Sequence, residues 1–191
     1  MIKKFELDLS TKITVFGVEL FRIKALISFG NVKKGEFGGY VEKEENLNHS
    51  GNAWVYGDAR VYGDAWVYGD AWVSGNARVY GNAEVSGDAR VYGNARVYGD
   101  AEVYGNAEVS GNAEVYGDAW VSKLNDYIVF KNNWSSGRHF TYTLSNKMWK
   151  VGCFYGSGEE LVKKAYQDSG DSGKHYEAYV NLVKTLEEFD N

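Results

Sequence analysis

Residues 51–122 read GNAWVY-GDARVY-GDAWVY-GDAWVS-GNARVY-GNAEVS-GDARVY-GNARVY-GDAEVY-GNAEVS-GNAEVY-GDAWVS, which is twelve hexapeptides in a row without an insertion. Every unit has Gly first, Asp or Asn second, Ala third and Val fifth, and the fourth and sixth positions carry most of the variation. Residues two apart in an extended chain point to the same face. We therefore predict that the Ala and Val side chains point inward together, while the fourth and sixth side chains point outward.

The Gly-Asp and Gly-Asn pairs suit a corner of the chain. Gly tolerates backbone angles that other residues avoid, and Asp and Asn tolerate the left-handed region that tight turns need. A period of six leaves each strand too short for a stack of hairpins, so we predict a coil of three short strands and three corners. Each coil then takes 18 residues, and the twelve hexapeptides make four coils. At about 4.8 Å between strands, the regular part is roughly 19 Å tall.

The Val-x-Gly-Asx-Ala-x spacing of these units is similar to the hexapeptide repeat of left-handed parallel β-helix proteins. That resemblance implies a left-handed coil, against the usual right-handed rule for parallel connections, and it implies a homotrimer, since many proteins with this repeat are trimers. Two further segments, Lys34–Val41 and Met148–Gly156, resemble hexapeptide-repeat proteins encoded by bacteriophages and prophages. That family is largely without assigned activity, so the resemblance implies a mainly β fold and an origin, and little about function.

Residues 1–50 are expected to form a β cap, because an uncovered solenoid end exposes unpaired strand edges. Two alternating apolar stretches flank Gly17 and predict a hairpin. Lys34–Asn48 predicts an imperfect first coil, since Val41 and Leu47 are six residues apart. Leu47 and Val55 are eight residues apart, which breaks the register just before the regular units begin.

Residues 123–191 predict a separate α+β module with three strands and two helices. The strands are expected at Tyr127–Lys131, His139–Leu144 and Met148–Phe154. Ser157 and Glu160 have the spacing of a capping box and predict the start of the first helix. The second helix is expected after Asp168–Gly173. Cys153 lies among aromatic neighbours in the third strand, where we expect a buried and unreactive thiol.

Sorting the fourth-position residues by the 18-residue coil gives three outward faces. Face one carries Trp54, Trp72, Arg90 and Glu108; face two carries Arg60, Arg78, Arg96 and Glu114; face three carries Trp66, Glu84, Glu102 and Trp120. The sixth position of face two holds an unbroken tyrosine column, Tyr62, Tyr80, Tyr98 and Tyr116.

The three stacked arginines of face two are the feature that demands a partner. Like charges opposite each other on adjacent strands are destabilising, by up to about 1 kcal/mol per pair. One explanation is a sister subunit, because Glu84 and Glu102 lie on face three at the heights of the upper two arginines. A second is an anionic, nucleotide-like ligand that pairs with Arg while a base stacks on Tyr. A third is a solvated face on which Arg and Tyr interleave.

A second candidate site lies in the C-terminal module. Five side chains are expected to line a small pocket there: Trp134, Arg138, His139, Trp149 and Tyr155. Acyltransferases with this repeat place a catalytic His on or near the coils, but the twelve units contain no His. One Cys and three scattered His give no metal-ligand spacing. We therefore expect no catalytic residues, no metal site and no cofactor.

The composition of the chain indicates which partners and which cellular compartment to expect. The twelve units carry 4 Arg against 6 Asp and 4 Glu, and such an acidic surface repels phosphate, so generic nucleic-acid binding is not expected. A single Cys excludes an internal disulfide and favours a reducing compartment. The sequence contains no apolar run long enough to span a bilayer, and its start lacks the apolar core of a signal peptide. We expect a soluble cytoplasmic protein, in the host cytoplasm if a phage encodes it.

These observations favour a non-enzymatic, phage-type solenoid that assembles with copies of itself and binds a partner or a small ligand. One alternative is a phage counter-defence protein that sequesters a host nucleotide signal between subunits or along face two. The other is a divergent hexapeptide-repeat acyltransferase.

Overall fold

The computed structural model describes residues 2–189 and divides the chain into two compact units, Met1–Asp126 and Tyr127–Asn191. The first unit is built of strands and contains all twelve hexapeptides. The second combines four strands with two helices. Neither helix has the length and hydropathy that a membrane-spanning segment needs, as far as the described residues go.

The repeat folds as a stack of very short strands, one from each hexapeptide. They are β4 (Trp54–Val55), β5 (Arg60–Val61), β6 (Trp66–Val67), β7 (Trp72–Val73), β8 (Arg78–Gly81), β9 (Glu84–Val85), β10 (Arg90–Val91), β11 (Arg96–Gly99), β12 (Glu102–Val103), β13 (Glu108–Val109), β14 (Glu114–Gly117) and β15 (Trp120–Val121). Each strand pairs in parallel with the strand three further along the chain, so the chain forms a parallel β-solenoid of about five turns. The predicted β-solenoid architecture is confirmed.

The constant positions of the hexapeptide explain this stack. All twelve Ala and all twelve Val side chains are at most 1% exposed, as their inward direction predicts. The first-position Gly of every unit has a φ between 60° and 78°, a left-handed corner that a side chain would strain. The fourth-position N–H donates to the Ala carbonyl of the next turn, for example from Arg78 to Ala95 at 2.9 Å. One short repeat therefore supplies the core, the corner and the hydrogen-bond ladder.

The N-terminal segment extends one side of this stack. β1 (Phe5–Val15) and β2 (Val18–Ala25) form an antiparallel hairpin around Phe16 and Gly17, which confirms the predicted hairpin. β2 pairs with β3 (Phe37–Val41), and β3 pairs in parallel with β5. One seven-stranded sheet therefore runs from the hairpin through face two, in the order β1-β2-β3-β5-β8-β11-β14.

The imperfect first coil is present with the predicted break in register. Val41 pairs with Val61, and Leu47 forms a parallel bridge with Val67, in both cases across 20 residues. Val55 and Val73 are paired across the regular 18 residues. The two extra residues lie between Leu47 and Val55, as the eight-residue spacing of this pair predicts.

Two adjacent glycines let β3 approach the first regular turn. A Cβ on Gly38 would lie 2.6 Å from the carbonyl oxygen of Val55, and one on Gly39 would lie 2.6 Å from that of Ala59. Real Cβ atoms do not approach an oxygen so closely, so any larger residue would push β3 away from the solenoid.

A buried lysine closes one corner of the ladder. The Ala53 carbonyl belongs to the first regular turn, where its hydrogen-bond donor cannot come from a regular turn below. The Nζ of Lys4 supplies it at 2.9 Å, and it also reaches the Gly51 carbonyl at 3.3 Å. Lys4 is only 1% exposed and its ammonium lies 4.7 Å from the centre of the Phe29 ring. Burial lowers the pKa of Lys4 from 10.5 to about 8, although the nearby Asp70 carboxylate opposes the shift.

The other two corners are closed differently. The backbone N–H of Tyr40, in β3, donates to the Ala59 carbonyl at 2.9 Å. The side-chain amide of buried Asn46 donates to the Ala65 carbonyl at 2.8 Å. All three Ala carbonyls of the first regular turn therefore have donors, one from the backbone and two from side chains.

Trp54 corrects the prediction for face one. The repeat places it at an outward position, yet its side chain is completely buried. The rings of Phe5 and Phe29 pack edge-on against its indole, with centroids 6.2 and 5.3 Å away. The N-terminal segment therefore covers the lowest residue of this face, which a reading of the hexapeptides alone could not detect.

The second unit begins with an antiparallel sheet. Its strands are β16 (Tyr127–Lys131), β17 (His139–Thr143), β18 (Met148–Val151) and β19 (Phe154–Gly156), paired in chain order. The expected single strand Met148–Phe154 is therefore wrong, because the chain turns back at Gly152, where φ is 56°. The prediction of a buried Cys153 is wrong for the same reason, since this turn leaves the thiol exposed.

Two helices complete the second unit. α1 (Gly158–Asp168) begins at Ser157, whose hydroxyl accepts from the Glu160 N–H while the Glu160 carboxylate accepts from the Ser157 N–H, so the predicted capping box is confirmed. α2 (Gly170–Phe189) starts after a break at Ser169, earlier than expected. Apolar side chains of both helices pack with β17 and β18 in one core that includes Phe140, Trp149, Leu161, Tyr176 and Val180.

We predict that the free energy of unfolding rises when the pH is raised from about 8 to about 9.5. Folded Lys4 loses its proton across this range, whereas in the unfolded chain its ordinary pKa of 10.5 keeps the proton bound. The unfolded state then binds more protons, so stability increases with pH. Urea unfolding at a series of pH values measures the change.

The Lys4→Met variant should lack this rise and should be less stable at neutral pH by about 1–3 kcal/mol, because the Ala53 carbonyl loses its donor. Lys3→Met is the matched control, since Lys3 is an exposed neighbour that pairs with Glu44 at 2.6 Å. An equal rise in Lys4→Met and the wild type would show that another group titrates.

Candidate functional site

The arginine column of face two forms as the 18-residue register predicts. Arg60 pairs with Arg78, and Arg78 with Arg96, in adjacent parallel strands, so their side chains leave the sheet one above another. Glu114 occupies the next position up. Below the column, Tyr40 of β3 pairs with Arg60.

The tyrosine column lies beside the arginines and its rings contact each other. Ring centroids are 5.0 Å apart between Tyr62 and Tyr80, 4.7 Å between Tyr80 and Tyr98, and 4.5 Å between Tyr98 and Tyr116. The lower two pairs are nearly parallel, at 3° and 10°. The stacked rings leave no room for a planar base to enter between them.

The tyrosine phenols are shifted toward their neutral form. Burial, with the adjacent Tyr62, raises the pKa of Tyr80 to about 12. Burial and the Glu114 carboxylate, which accepts a hydrogen bond from its hydroxyl at 3.1 Å, also raise the pKa of Tyr98. The pKa of Tyr62 is raised by burial, and the neighbouring arginines oppose that shift. The column therefore adds no negative charge that could neutralise the arginines.

Carboxylates compensate only the top of the arginine column. The Arg96 guanidinium lies 3.3 Å from the Glu114 carboxylate. Neither Arg60 nor Arg78 has a carboxylate within 4 Å among residues 2–189. Two stacked positive charges thus remain without an acidic partner in the described part of the chain.

Face three presents the complementary column. Trp66, Glu84, Glu102 and Trp120 are paired in adjacent strands β6, β9, β12 and β15. Trp66 and Trp120 are 37% and 48% exposed. Glu84 accepts a hydrogen bond from the Tyr68 hydroxyl at 3.0 Å, and no cation pairs with Glu84 or Glu102 among the residues described.

In the second unit, Arg138 and His139 line a cleft of about 270 Å³. The lining also includes exposed Cys153, Asp168 at the end of α1, and Tyr176 of α2. One cleft is therefore bordered by guanidinium, imidazole, thiol and carboxylate groups. A small polar ligand there would lie close to both a positive and a negative charge.

The remaining residues of the predicted pocket lie outside this cleft's lining. Trp149 is 2% exposed in the core of the second unit. Trp134 stacks on the His175 imidazole at 4.5 Å. The Tyr155 hydroxyl accepts from the Asn146 amide at 3.1 Å. The structure thus places Arg138 and His139 on one cleft, packs the two tryptophans against other side chains, and gives Tyr155 a hydrogen bond.

The three histidines do not form a common site within either unit. His49 belongs to the N-terminal cap, where its ring stacks on Phe5 at 4.3 Å and its Nδ1 accepts from the Lys4 N–H. His139 and His175 lie in the second unit. Across residues 2–189, no three His, Cys, Asp or Glu side chains gather in an arrangement that could hold a metal ion.

Three contributors to the candidate sites were not predicted. Lys4 and Asn46 close the ladder, and Arg22 extends the positive face, with its guanidinium 5.6 Å from the Tyr40 ring centre. The one usable signal was the Tyr40-Val41 pair, which matches the fourth and fifth positions of a hexapeptide. Nothing in the sequence marks the side chains of Lys4 or Asn46 as hydrogen-bond donors to the repeat.

A comparison with protein families finds one similarity. A family model described as the YdcK beta solenoid repeat matches residues 53–69, 59–75, 71–87 and 89–105. These matches lie within the repeat and cover well under half of the chain, so they support a β-solenoid repeat protein. No curated protein matches the chain.

We predict that the tyrosine column resists alkaline titration. The pKa of about 12 at Tyr80 keeps its phenol protonated where an ordinary tyrosine, with a pKa of about 10, is ionised. The free energy of unfolding should fall as the pH rises above about 10, since the unfolded chain then releases protons that the folded column retains. Tyrosinate absorbance as a function of pH measures the ionisation.

The Tyr80→Phe variant should lose one high-pH step of this titration. Tyr92→Phe, on face one and outside the column, is the control that should retain that step. If every tyrosine ionised together near a pH of about 10, the stacked column would not form in solution.

Proposed function

We propose that this protein is a non-enzymatic solenoid scaffold that assembles by laying face two of one copy on face three of the next. The observation that carries the proposal is the pair of stacked arginines, Arg60 and Arg78, without an acidic partner in the described chain. A matching column of carboxylates, Glu84 and Glu102, lies on another face of the same solenoid. Arg60 and Arg78 lack acidic partners, and Glu84 and Glu102 lack basic partners, in the described chain. The two columns are therefore complementary in charge.

The heights of the two columns agree. Each residue of face three follows its counterpart on face two by six positions, so Arg78 corresponds to Glu84 and Arg96 to Glu102. Both columns repeat at the spacing of parallel strands, about 4.8 Å. Copies related by rotation about an axis parallel to the solenoid therefore bring Arg78 opposite Glu84 and Arg96 opposite Glu102 at once, while Arg60 lies opposite Trp66.

The rest of face three favours burial as well. Trp66 and Trp120 are the large aromatic side chains at its two ends, and aromatic residues are enriched where proteins associate. Complementary charges across an interface fix the register of the two partners and disfavour mismatched arrangements. Contact between the two faces thus combines apolar burial at the ends with ion pairs in the middle.

The finer features of the proposal rest on the sequence. Left-handed winding, a trimer and a bacteriophage-type origin are implied by the resemblance to hexapeptide-repeat proteins. Four regular three-strand coils above one imperfect coil follow from the period of six, and a place in the host cytoplasm follows from the single Cys together with the phage resemblance. The second unit is assigned the binding of a partner or small ligand, through the cleft at Arg138 and His139.

The arginine column also supports a second candidate, capture of a nucleotide-like anion on face two. Arg60 and Arg78 offer guanidinium groups that suit phosphate. The ring stacking between Tyr62, Tyr80 and Tyr98 works against a base inserted between them, so recognition would depend on the phosphates.

Charge reversal at one predicted contact tests the assembly. Arg78→Glu and Glu84→Arg should each weaken assembly about tenfold or more, because either change places like charges opposite each other. The double variant should recover assembly, since it restores the pair with the signs exchanged. Sedimentation over a range of concentrations measures the oligomeric state.

Two features make this experiment decisive. Arg78→Glu removes repulsion from Arg60 and Arg96 within the chain, so thermal stability of the single copy should not fall. Arg90→Glu is the matched control, with the same charge change on face one, and it should leave assembly unchanged. A wild-type protein that stays monomeric at every concentration would refute the assembly. Heat released on titration of cyclic or ADP-ribose-type nucleotides, lost in Arg78→Glu, would then support the anion candidate.

A further inference from the structure

A pocket of about 610 Å³ opens at the base of face three. Its walls come from the imperfect first coil and from the lowest turns of the regular repeat. Its charged and aromatic lining side chains are Lys43, Glu44, Glu45, His49, Asp64, Trp66 and Glu84. The proposed contact between the Arg78 and Glu84 columns does not by itself account for this pocket.

The pocket exists because the outward column of face three stops at Trp66. Asn46 stands directly below Trp66 in the register, since Leu47 bridges Val67. The Asn46 side chain is buried and donates to the Gly63 and Ala65 carbonyls, so it does not project outward. Because the Asn46 side chain caps the ladder in this way, the space below the Trp66 indole stays open and forms the pocket.

Two carboxylates that line this pocket, those of Glu45 and Glu84, form no ion pair in the described chain. Glu44 pairs with Lys3 at 2.6 Å and Asp64 pairs with Lys43 at 2.7 Å, so those acids are compensated. Glu84 receives only the Tyr68 hydroxyl, and Glu45 has neither an ion pair nor a side-chain hydrogen bond within residues 2–189. Lys43, which also lines the pocket, interacts electrostatically with Glu45, so the carboxylate left without a nearby cation is that of Glu84, one turn above Trp66.

The aromatic ring is held in place and partly open. Trp66 stacks on Tyr68 with centroids 4.0 Å apart and an angle of 25°, and 37% of Trp66 remains exposed. An indole beside carboxylates attracts a flat cation, because the ring face is electron-rich and the carboxylates accept its hydrogen bonds. A guanidinium has the shape and charge that fit the Trp66 indole and the carboxylates of Glu45 and Glu84.

We propose that this pocket is the socket for the Arg60 guanidinium of a second copy of the chain. The inference rests on the assembly proposed above and adds the contact at its base. Arg60 corresponds in height to Trp66, as Arg78 does to Glu84. In its own chain Arg60 lies opposite Arg78 with no acidic partner in the described residues, so the socket removes an unfavourable charge pair.

A double-mutant cycle on the full chain tests the socket. Arg60→Met removes the charge and keeps an apolar stem, and Trp66→Leu removes the ring. Each variant should raise the midpoint concentration of assembly, by about 2- to 30-fold for a cation–π contact. The double variant should be little worse than either single variant, since both remove the same contact. Sedimentation measures the midpoint, and circular dichroism verifies that each variant is folded.

The matched control pairs Arg60→Met with Trp120→Leu. Trp120 lies at the opposite end of face three, so its effect should add to that of Arg60→Met without coupling. Additive effects for Arg60 and Trp66 would overturn the socket while leaving the assembly intact, provided that the Arg78–Glu84 exchange still restores association. A monomeric wild type would instead refute the assembly itself.

A free cation is the remaining occupant to test. Arginine amide, titrated into the wild type, should give no heat while the socket is filled by a second copy, and should give heat with the Arg60→Met variant. Heat with the wild type under conditions where it is fully assembled would show that the pocket takes a free cation, and the proposal of a second copy would be wrong.

Discussion

The hydrogen-bond ladder between successive turns is the constraint on which the rest of the structure depends. Each turn offers an Ala carbonyl at every corner, and each regular turn satisfies the carbonyls of the turn above it. An unmatched buried carbonyl costs about as much as a lost hydrogen bond, so the lowest turn cannot be left open. Lys4, Tyr40 and Asn46 meet that demand at the three corners. The N-terminal cap therefore supplies donors as well as an apolar cover, since Phe5, next to the donor Lys4, packs against Trp54.

The same ladder dictates the chemistry of the surface. Each outward residue of the regular repeat lies above the residue 18 positions earlier. A charged residue that recurs at this interval therefore forms a column of like charges. Arg60, Arg78 and Arg96 are forced into proximity by a backbone that gives them no freedom to separate. A single acid at Glu114 relieves only the top member. The surface thus carries a localised charge that arises from the repeat and that the solenoid itself does not neutralise.

The repeat could be predicted from the sequence because its positions act locally and recur. Two-residue alternation gives the Ala and Val core, Gly gives the corner, and the period gives the register of faces two and three. The failures have two causes: burial by a segment distant in the sequence, and a local turn inside a continuous apolar pattern. Trp54 is buried by Phe5 and Phe29, which no hexapeptide rule includes. Cys153 is exposed because the chain turns back at Gly152, where a continuous apolar pattern suggested one strand.

The socket at Trp66 bears on why the proposed assembly would close. Sliding one copy along the other by a single turn would still set Arg60 opposite Glu84 and Arg78 opposite Glu102, so the charged columns alone do not select a register. A shift of one turn at every contact adds an axial rise of about 4.8 Å per copy and makes an open filament, whereas no shift closes a ring. The pocket below Trp66 lies at the base of face three, beside the cap. Binding of Arg60 in this pocket favours the unshifted register. The pocket is open because the Asn46 side chain turns inward to complete the ladder. That inward turn would therefore decide between a closed oligomer and a fibre.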